Sequence, residues 1–505
     1  MKSKLIALTI ALIMCLTAFT ACGLEDAFTF NFSPDSSKNA SADKGDASNN
    51  SGQSVGSQSD GDGSSDQSGG QTEQQPEIEE VTDDRPDATE VTFSADMPAL
   101  ILPEKGHYTI DVKIGNSYFA RSSYLYNKKI ALLSFGLAVS TDTEDNLKAF
   151  FDKGGFDDDV TTYGYDRAPT EDSVACGIAK KTMGDYTLVA VAVRGFNYSA
   201  EWASNFTLGT GTGHKGFYDS ADIVFNDVLK GFMTAKGLDY SSTKFLLTGY
   251  SRGGGIANVG AGFMNDQSLF PDVNKENLFA YTFEAPQGHE GKVYEKNVFN
   301  IVSGEDIVTY IAPSAYGLYR IGLDKQIFDA DCANYVKQFD GDITLPELFV
   351  SGSVTSGEQI YTTFLNGLTK KPKKDTSVSV ETKQDYYNNL QTAMRRAFKK
   401  LQSMTPVQKA GFTNGLKNNI TTFLQNYAEE YALYDIVKGI FDGQSVTYND
   451  DDLKTYTEQI RKVLASYLAE NGVNAWTYLT LFLQNVDYIK AMHSPEVIYS
   501  LLINS

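Results

Sequence analysis

One short stretch of this 505-residue chain combines residue types at a spacing that points to covalent chemistry: Gly249, Tyr250, Ser251, Arg252 and Gly253. It follows the aliphatic run Lys244 to Thr248 and leads into a segment rich in Gly and Ala. A serine on a sharp strand-to-helix turn presents its hydroxyl clear of both elements, and glycine two residues to either side spares the turn a collision with neighbouring backbone. Such a hydroxyl can attack an acyl carbon once a base removes its proton. Gly52, Gln53, Ser54, Val55 and Gly56 satisfy the same spacing, but no strand pattern precedes them and no helix pattern follows. Context therefore selects Ser251 as the candidate nucleophile, with Gly249 and Gly253 as the turn glycines. The competing explanation is a tight turn with an incidental serine.

The base must come from four histidines, His107, His214, His289 and His493. The order nucleophile, acid, histidine along a layered α/β chain favours His493. The acid must fix the tautomer of the imidazole and stabilise its charged form. Asp306 lies just beyond the strand-like run Val298 to Ser303, at the carboxyl end of a strand, where sites of such sheets assemble. Its neighbour Glu305 is the main competitor.

These residues need elements to hold them. Leu188 to Arg194 reads as a strand buried on both faces, as do Lys244 to Thr248, Leu278 to Phe283 and Val298 to Ser303. Glu144 to Phe156 has the spacing of a short helix stopped at Gly154 and Gly155. Phe217 to Phe232 places Ala221, Val224, Phe225, Val228, Leu229 and Phe232 on one helical stripe. The alternation predicts an α/β domain with a mostly parallel central sheet. Patterned sequence starts near Val91, so the core is expected over 91–344, a large helical insertion or cap over 345–485, and the histidine-bearing remainder of the core over 486–505. The insertion carries helical stripes such as Tyr386, Leu390, Ala393, Met394, Ala397, Phe398 and Leu401.

Residues 1–21 carry two lysines, an apolar stretch and small residues, the layout of a secretion signal. Phe19, Thr20, Ala21, Cys22 and Gly23 then resemble a bacterial lipoprotein box, which implies cleavage before Cys22, lipidation of its thiol, and an extracytoplasmic protein anchored to the cell membrane. Residues 22–90 are expected to be mostly a tether, because Ser, Gly, Asp, Gln and Asn dominate them and bury little apolar surface. The formal charge is -21, and losing Lys2 and Lys4 with the signal makes it more negative. Phosphate backbones would be repelled, which excludes nucleic acid as a partner. Cys176 and Cys332 remain after lipidation of Cys22; whether they pair is open. No metal cluster or cofactor motif is evident, and the run Gly209 to Gly213 lacks the lysine of a phosphate loop.

Residues 186–313 resemble the class 3, fungal-lipase-like family of α/β-hydrolases. The blocks that carry the resemblance are Val191 to Gly195 with Glu201, Trp202 and Asn205; His214 to Phe217; Leu246 to Gly254; Phe283, Ala285 and Pro286; and Asn300 to Val308. It resumes at His493, Ser494 and Pro495. The resemblance implies a triad of Ser251, Asp306 and His493, and an oxyanion hole made by the backbone amides of Arg252 and Phe196. Where the family usually carries Ser or Thr this chain has Phe196; Asn197 is the nearby polar group. The implied activity is hydrolysis of carboxylic esters, acyl glycerides or other lipid esters, through an acyl-enzyme, with no cofactor and with a lid drawn from Asn197 to Gly213. The alternatives are an esterase of short-chain or sugar esters, and a non-catalytic surface lipoprotein that keeps the fold for binding.

Overall fold

The computed structural model describes residues 74–82, 87–166, 173–196, 213–310, 318–347, 451 and 486–505. Nine of its eleven strands belong to two groups: β1 (Val91–Pro98) and β2 (His107–Ile114) form an antiparallel pair, and seven others form the central sheet. In spatial order that sheet is β11 (Leu323–Gln326), β9 (Val298–Val302), β7 (Leu278–Phe283), β6 (Thr243–Tyr250), β5 (Tyr186–Val193), β4 (Cys176–Met183) and β3 (Thr161–Tyr163). The five strands from β11 to β5 run parallel, and β4 and β3 continue antiparallel. The remaining strands, β8 (His289–Glu290) and β10 (Leu318–Tyr319), make a small separate pair.

Both faces of the sheet are covered, which explains the unbroken apolar runs of β5, β6 and β7. Along β5 the side chains alternate between two cores. Leu188, Ala190 and Ala192 join one core, while Val189, Val191 and Val193 join the other. The first core holds the β1–β2 pair, helix α1 (Lys128–Val139) and helix α2 (Glu144–Lys153). Asn127 caps α1 by accepting from the Lys129 amide at 2.9 Å, and its own amide donates to Tyr281 Oη on β7 at 2.9 Å, tying the helix start to the sheet. Helix α2 begins on the Thr143 side chain and ends at Gly154, close to the predicted bounds.

The second core is closed by two helical units. α3 (Lys215–Ala221) widens into a π-helical stretch, Asp222–Leu229, and returns to regular winding in α4 (Lys230–Lys236). The predicted stripe is buried here, with Val228 only partly so, although the sequence pattern does not show the wider winding. Beside it lies α5 (Arg252–Asn265), whose Gly260 leaves the space that the Phe225 ring fills.

The folded part begins earlier than Val91, which corrects the expected tether boundary. Gln75 exchanges two hydrogen bonds with the backbone of Asp324 on the edge strand β11, at 3.1 and 2.7 Å. Glu79 and Val81 pair with the backbone of Tyr126 at 2.8 Å each, and Ile78 packs on the first core. The segment is too short to show a period, but it supplies partners to an otherwise open sheet edge. Residues 1–73, nearly all of the insertion at 345–485, and all of the expected lid Asn197 to Gly213 except Gly213 lie outside the described residues. The described part of the chain closes with α6 (Cys332–Tyr335), α7 (Val486–Met492) and α8 (Pro495–Asn504). No helix among the described residues is long and apolar enough to cross a membrane.

Candidate active site

The carboxyl end of β6 turns into α5 through Ser251, whose φ of 53° lies where side-chain-bearing residues rarely sit. The glycines at either side make the turn possible. A Cβ on Gly249 would lie 2.3 Å from the Gly253 carbonyl, and one on Gly253 would lie 2.3 Å from the Val193 carbonyl oxygen of β5. The turn is held from the other side as well, because the Ser251 amide donates to the Phe283 carbonyl at the end of β7 at 2.8 Å. The strained turn is thus pinned between the ends of its two neighbouring strands.

His493 lies between α7 and α8, in the last turn of chain before Ser494 caps α8. Its Nε2 is 2.9 Å from Ser251 Oγ and its Nδ1 is 2.5 Å from Asp306 Oδ2. A carboxylate only accepts, so Nδ1 carries a proton and Nε2 is left to accept from the serine hydroxyl. Asp306 is fully buried, and its second oxygen accepts the Val308 amide at 2.8 Å. Glu305, the competing acid, instead accepts from Tyr488 Oη at 2.9 Å. The other three histidines are engaged elsewhere: His107 with Asp142 at 2.7 Å, His289 with Tyr218 at 2.5 Å, and His214 stacked on Phe217.

Two supporting residues escaped the sequence reading. Tyr250, the unspecified position of the turn motif, is fully buried and donates from Oη to the His493 carbonyl at 3.0 Å. Glu284, the first residue after β7, is fully buried with φ 46° and lies beside Asp306. Its oxygens also accept the Ser303 amide at 2.9 and 3.2 Å. Burial, and then the Asp306 charge, push the Glu284 carboxyl well above the usual carboxylate range, against weaker opposing pulls from the Ser303 amide and Arg320. The available sequence signal was a charged residue wedged between the apolar strand Leu278–Phe283 and Ala285.

The Arg252 side chain turns inward, where Nη2 donates to Ser220 Oγ at 3.1 Å and to the Ser173 carbonyl at 3.3 Å. Its amide begins α5 directly beside the nucleophile, where the partial positive charge of a helix start favours a developing anion. Gly195 runs against the same turn so closely that a Cβ there would lie 1.9 Å from the Tyr250 carbonyl oxygen. Phe196 follows at once, with its ring stacked on Tyr250 at 4.8 Å. Both amides proposed for the oxyanion hole therefore belong to chain segments at the nucleophile turn. Asn197 and Cys22 lie outside the described residues.

Cys176 and Cys332 are both free and buried, which settles the disulfide question for this pair, and burial pushes both thiols up to about 12. No group of three or more His, Cys, Asp or Glu among the described residues is placed to hold a metal ion.

A search of curated proteins finds no match to the chain. Among solved structures, a triacylglyceride lipase of Rhizomucor miehei is 20% identical, with 42% of this chain and 79% of that chain covered at a TM-score of 0.29. Lipase II of Rhizopus niveus is 17% identical, with 42% and 80% covered at 0.27. A triacylglycerol lipase described as having a serine protease triad as its catalytic centre is 20% identical, with 48% and 97% covered at 0.28. The family described as lipase (class 3) matches residues 189–316, a segment that runs from β5 through the nucleophile turn and past Asp306, and on that match the chain is a serine hydrolase of the lipase type.

Proposed function

We propose that the protein hydrolyses carboxylic esters of lipids, acyl glycerides among them, through an acyl-enzyme on Ser251. The observation that carries this is the continuous line from Ser251 Oγ to His493 Nε2 at 2.9 Å and from His493 Nδ1 to Asp306 at 2.5 Å. Ser251 Oγ attacks the ester carbonyl while His493 Nε2 takes its proton. Asp306 keeps the ring in the accepting tautomer and stabilises the imidazolium that forms. The amides of Arg252 and Phe196 receive the oxyanion; each such donor is worth about 2.7 to 4 kcal/mol in the transition state. His493 then returns the proton to the departing alcohol, and water, deprotonated by the same nitrogen, releases the acid. The steps need no cofactor.

Turnover of p-nitrophenyl esters of graded acyl length by the full chain tests the proposal. Native turnover with loss in Ser251→Ala supports it, and preference for long chains separates a lipase from a short-chain esterase. No native turnover, or equal turnover in Ser251→Ala, refutes it. We further propose that the protein is held at a membrane through lipidated Cys22 beyond the bacterial cytoplasm. Cys22→Ser should then move the chain from the detergent phase to the aqueous phase on detergent partition, and unchanged partition refutes the anchor.

A further inference from the structure

We propose that Glu284 is a positioning residue for this site: it retains its proton and donates it to Asp306, holding that carboxylate against His493. The proposal rests on the triad assignment above. Glu284 and Asp306 are both fully buried and lie beside each other, and two ionised carboxylates so placed would repel with no donor between them, so the pair calls for one proton between its members. Asp306 already accepts N–H bonds on each oxygen, from Val308 at 2.8 Å and from His493 Nδ1 at 2.5 Å, as suits an anion. Glu284 accepts only the Ser303 amide. The proton therefore belongs on Glu284.

The surroundings agree. The cation that acts on Glu284, Arg320, commits Nε to Asp324 at 2.9 Å and Nη1 to the carbonyls of Ala285 and Thr309. An ionised Glu284 would be a second buried anion beside Asp306, with no cation bonded to it. The groups facing Glu284 are thus Asp306, the Ser303 amide and Arg320, with His493 behind Asp306 and Asp324 behind Arg320. The backbone also bears on the case. A glycine would adopt φ 46° without strain, yet a full carboxyl side chain occupies the position.

This gives the site a pH response of its own. When Glu284 loses its proton, the hydrogen bond to Asp306 becomes a repulsion, and two negative charges then favour the imidazolium over the free base. Activity should fall on the alkaline side. Glutamine at this position offers an N–H that pH does not remove, and its oxygen can still accept the Ser303 amide.

The test compares Glu284→Gln and Glu284→Leu in the full chain, by kcat and KM on p-nitrophenyl butyrate from neutral to alkaline pH, with thermal melts as the control for folding. The expected results are a glutamine variant within about threefold of native kcat without the alkaline fall, and a leucine variant about 10- to 100-fold lower in kcat at little-changed KM. A leucine variant with native kcat overturns the proposal, as does a folded glutamine variant as impaired as leucine, or one with the native alkaline profile. Should the leucine variant not fold, the glutamine pH profile decides alone. Ser251→Ala keeps the two questions apart: if it abolishes turnover while Glu284→Leu matches native, only the role of Glu284 fails.

Discussion

Asp306→Asn perturbs the orientation of the imidazole, and it removes the charge beside Glu284. Asp306 uses one oxygen for the Val308 amide at 2.8 Å and the other for His493 Nδ1 at 2.5 Å. Asparagine has a single acceptor oxygen. If that oxygen stays on the Val308 N–H, the amide NH2 faces Nδ1, which must then accept, and the ring proton moves to Nε2. His493 would donate to Ser251 Oγ and could no longer take its proton. Losing only a charge-assisted hydrogen bond, worth about 1.5 to 3 kcal/mol, would lower kcat by about 10- to 150-fold. Reversing the tautomer costs about 10⁴-fold, or about 5.4 kcal/mol. The gap between these figures lets one number decide. The assay is kcat on p-nitrophenyl butyrate, with a thermal melt to show that the variant folds. Glu305→Gln serves as the control and should stay near native, since Glu305 bonds Tyr488 rather than His493. A folded Asp306→Asn variant within tenfold of native, or a larger loss in Glu305→Gln, refutes the reasoning.

Gly253→Ala should lower stability by about 1 to 3 kcal/mol in urea unfolding, because its methyl would lie 2.3 Å from a β5 carbonyl that cannot retreat without breaking the sheet. Ser251→Gly should unfold at higher urea than Ser251→Ala, by about 1 kcal/mol, since both lose the hydroxyl but only glycine relieves the strain at φ 53°. Glu496→Gln should stabilise the protein at alkaline pH. Burial raises the folded Glu496 to about 7 from 4.5, so its contribution is intact below pH 4.5 and is lost as pH rises through 7. Chemical melts of native and glutamine variant should therefore converge in acid and separate by about 3 kcal/mol well above pH 7. Cys176 and Cys332, with thiols pushed up to about 12, should resist alkylation in the native state and react on unfolding, as peptide mass mapping would show.

The sheet was legible because its strands are buried on both faces, so β5, β6, β7 and β9 appear as separate aliphatic runs with turn residues between them. The Ser251 turn was legible because its constraint is partly local: glycine at 249 answers a clash with the backbone four residues on, while the clash that glycine at 253 relieves comes from β5. His493 and Asp306 were reached through chain order and the end of a strand, and the fold brings both to Ser251. What escaped depends on contacts that no local pattern encodes. Glu284 and Asp306 meet only because β7 and β9 lie side by side. Gln75 finds Asp324 across 249 positions, in a segment whose composition resembles the tether before it. The π-helical stretch Asp222–Leu229 keeps the same apolar stripe as a regular helix, so periodicity does not distinguish them.

The separation of Asp306 and His493, 187 positions along the chain, poses a physical question: what holds the histidine beside a serine and an aspartate that are themselves only 55 positions apart? Closing a flexible loop of that length costs about 4 to 5 kcal/mol plus a constant, and the cost grows only with the logarithm of length. The bonds that oppose it are all near His493. Val497, Ile498, Leu501 and Leu502 are buried in the first core, and each such side chain contributes about 1.5 to 3 kcal/mol. Glu496 accepts the amides of Leu100 and Ile101 at 2.7 and 2.9 Å, and Lys128 reaches the carbonyl of Ile503 at 3.1 Å. Tyr250 then fixes the His493 carbonyl from the nucleophile turn itself. The final helix docks on α1 and α6, so the histidine is registered against the same core that supports the sheet. Because the closure cost changes so slowly with length, the chain between Asp306 and His493 can be long without loosening the site, and its length is free to serve another purpose.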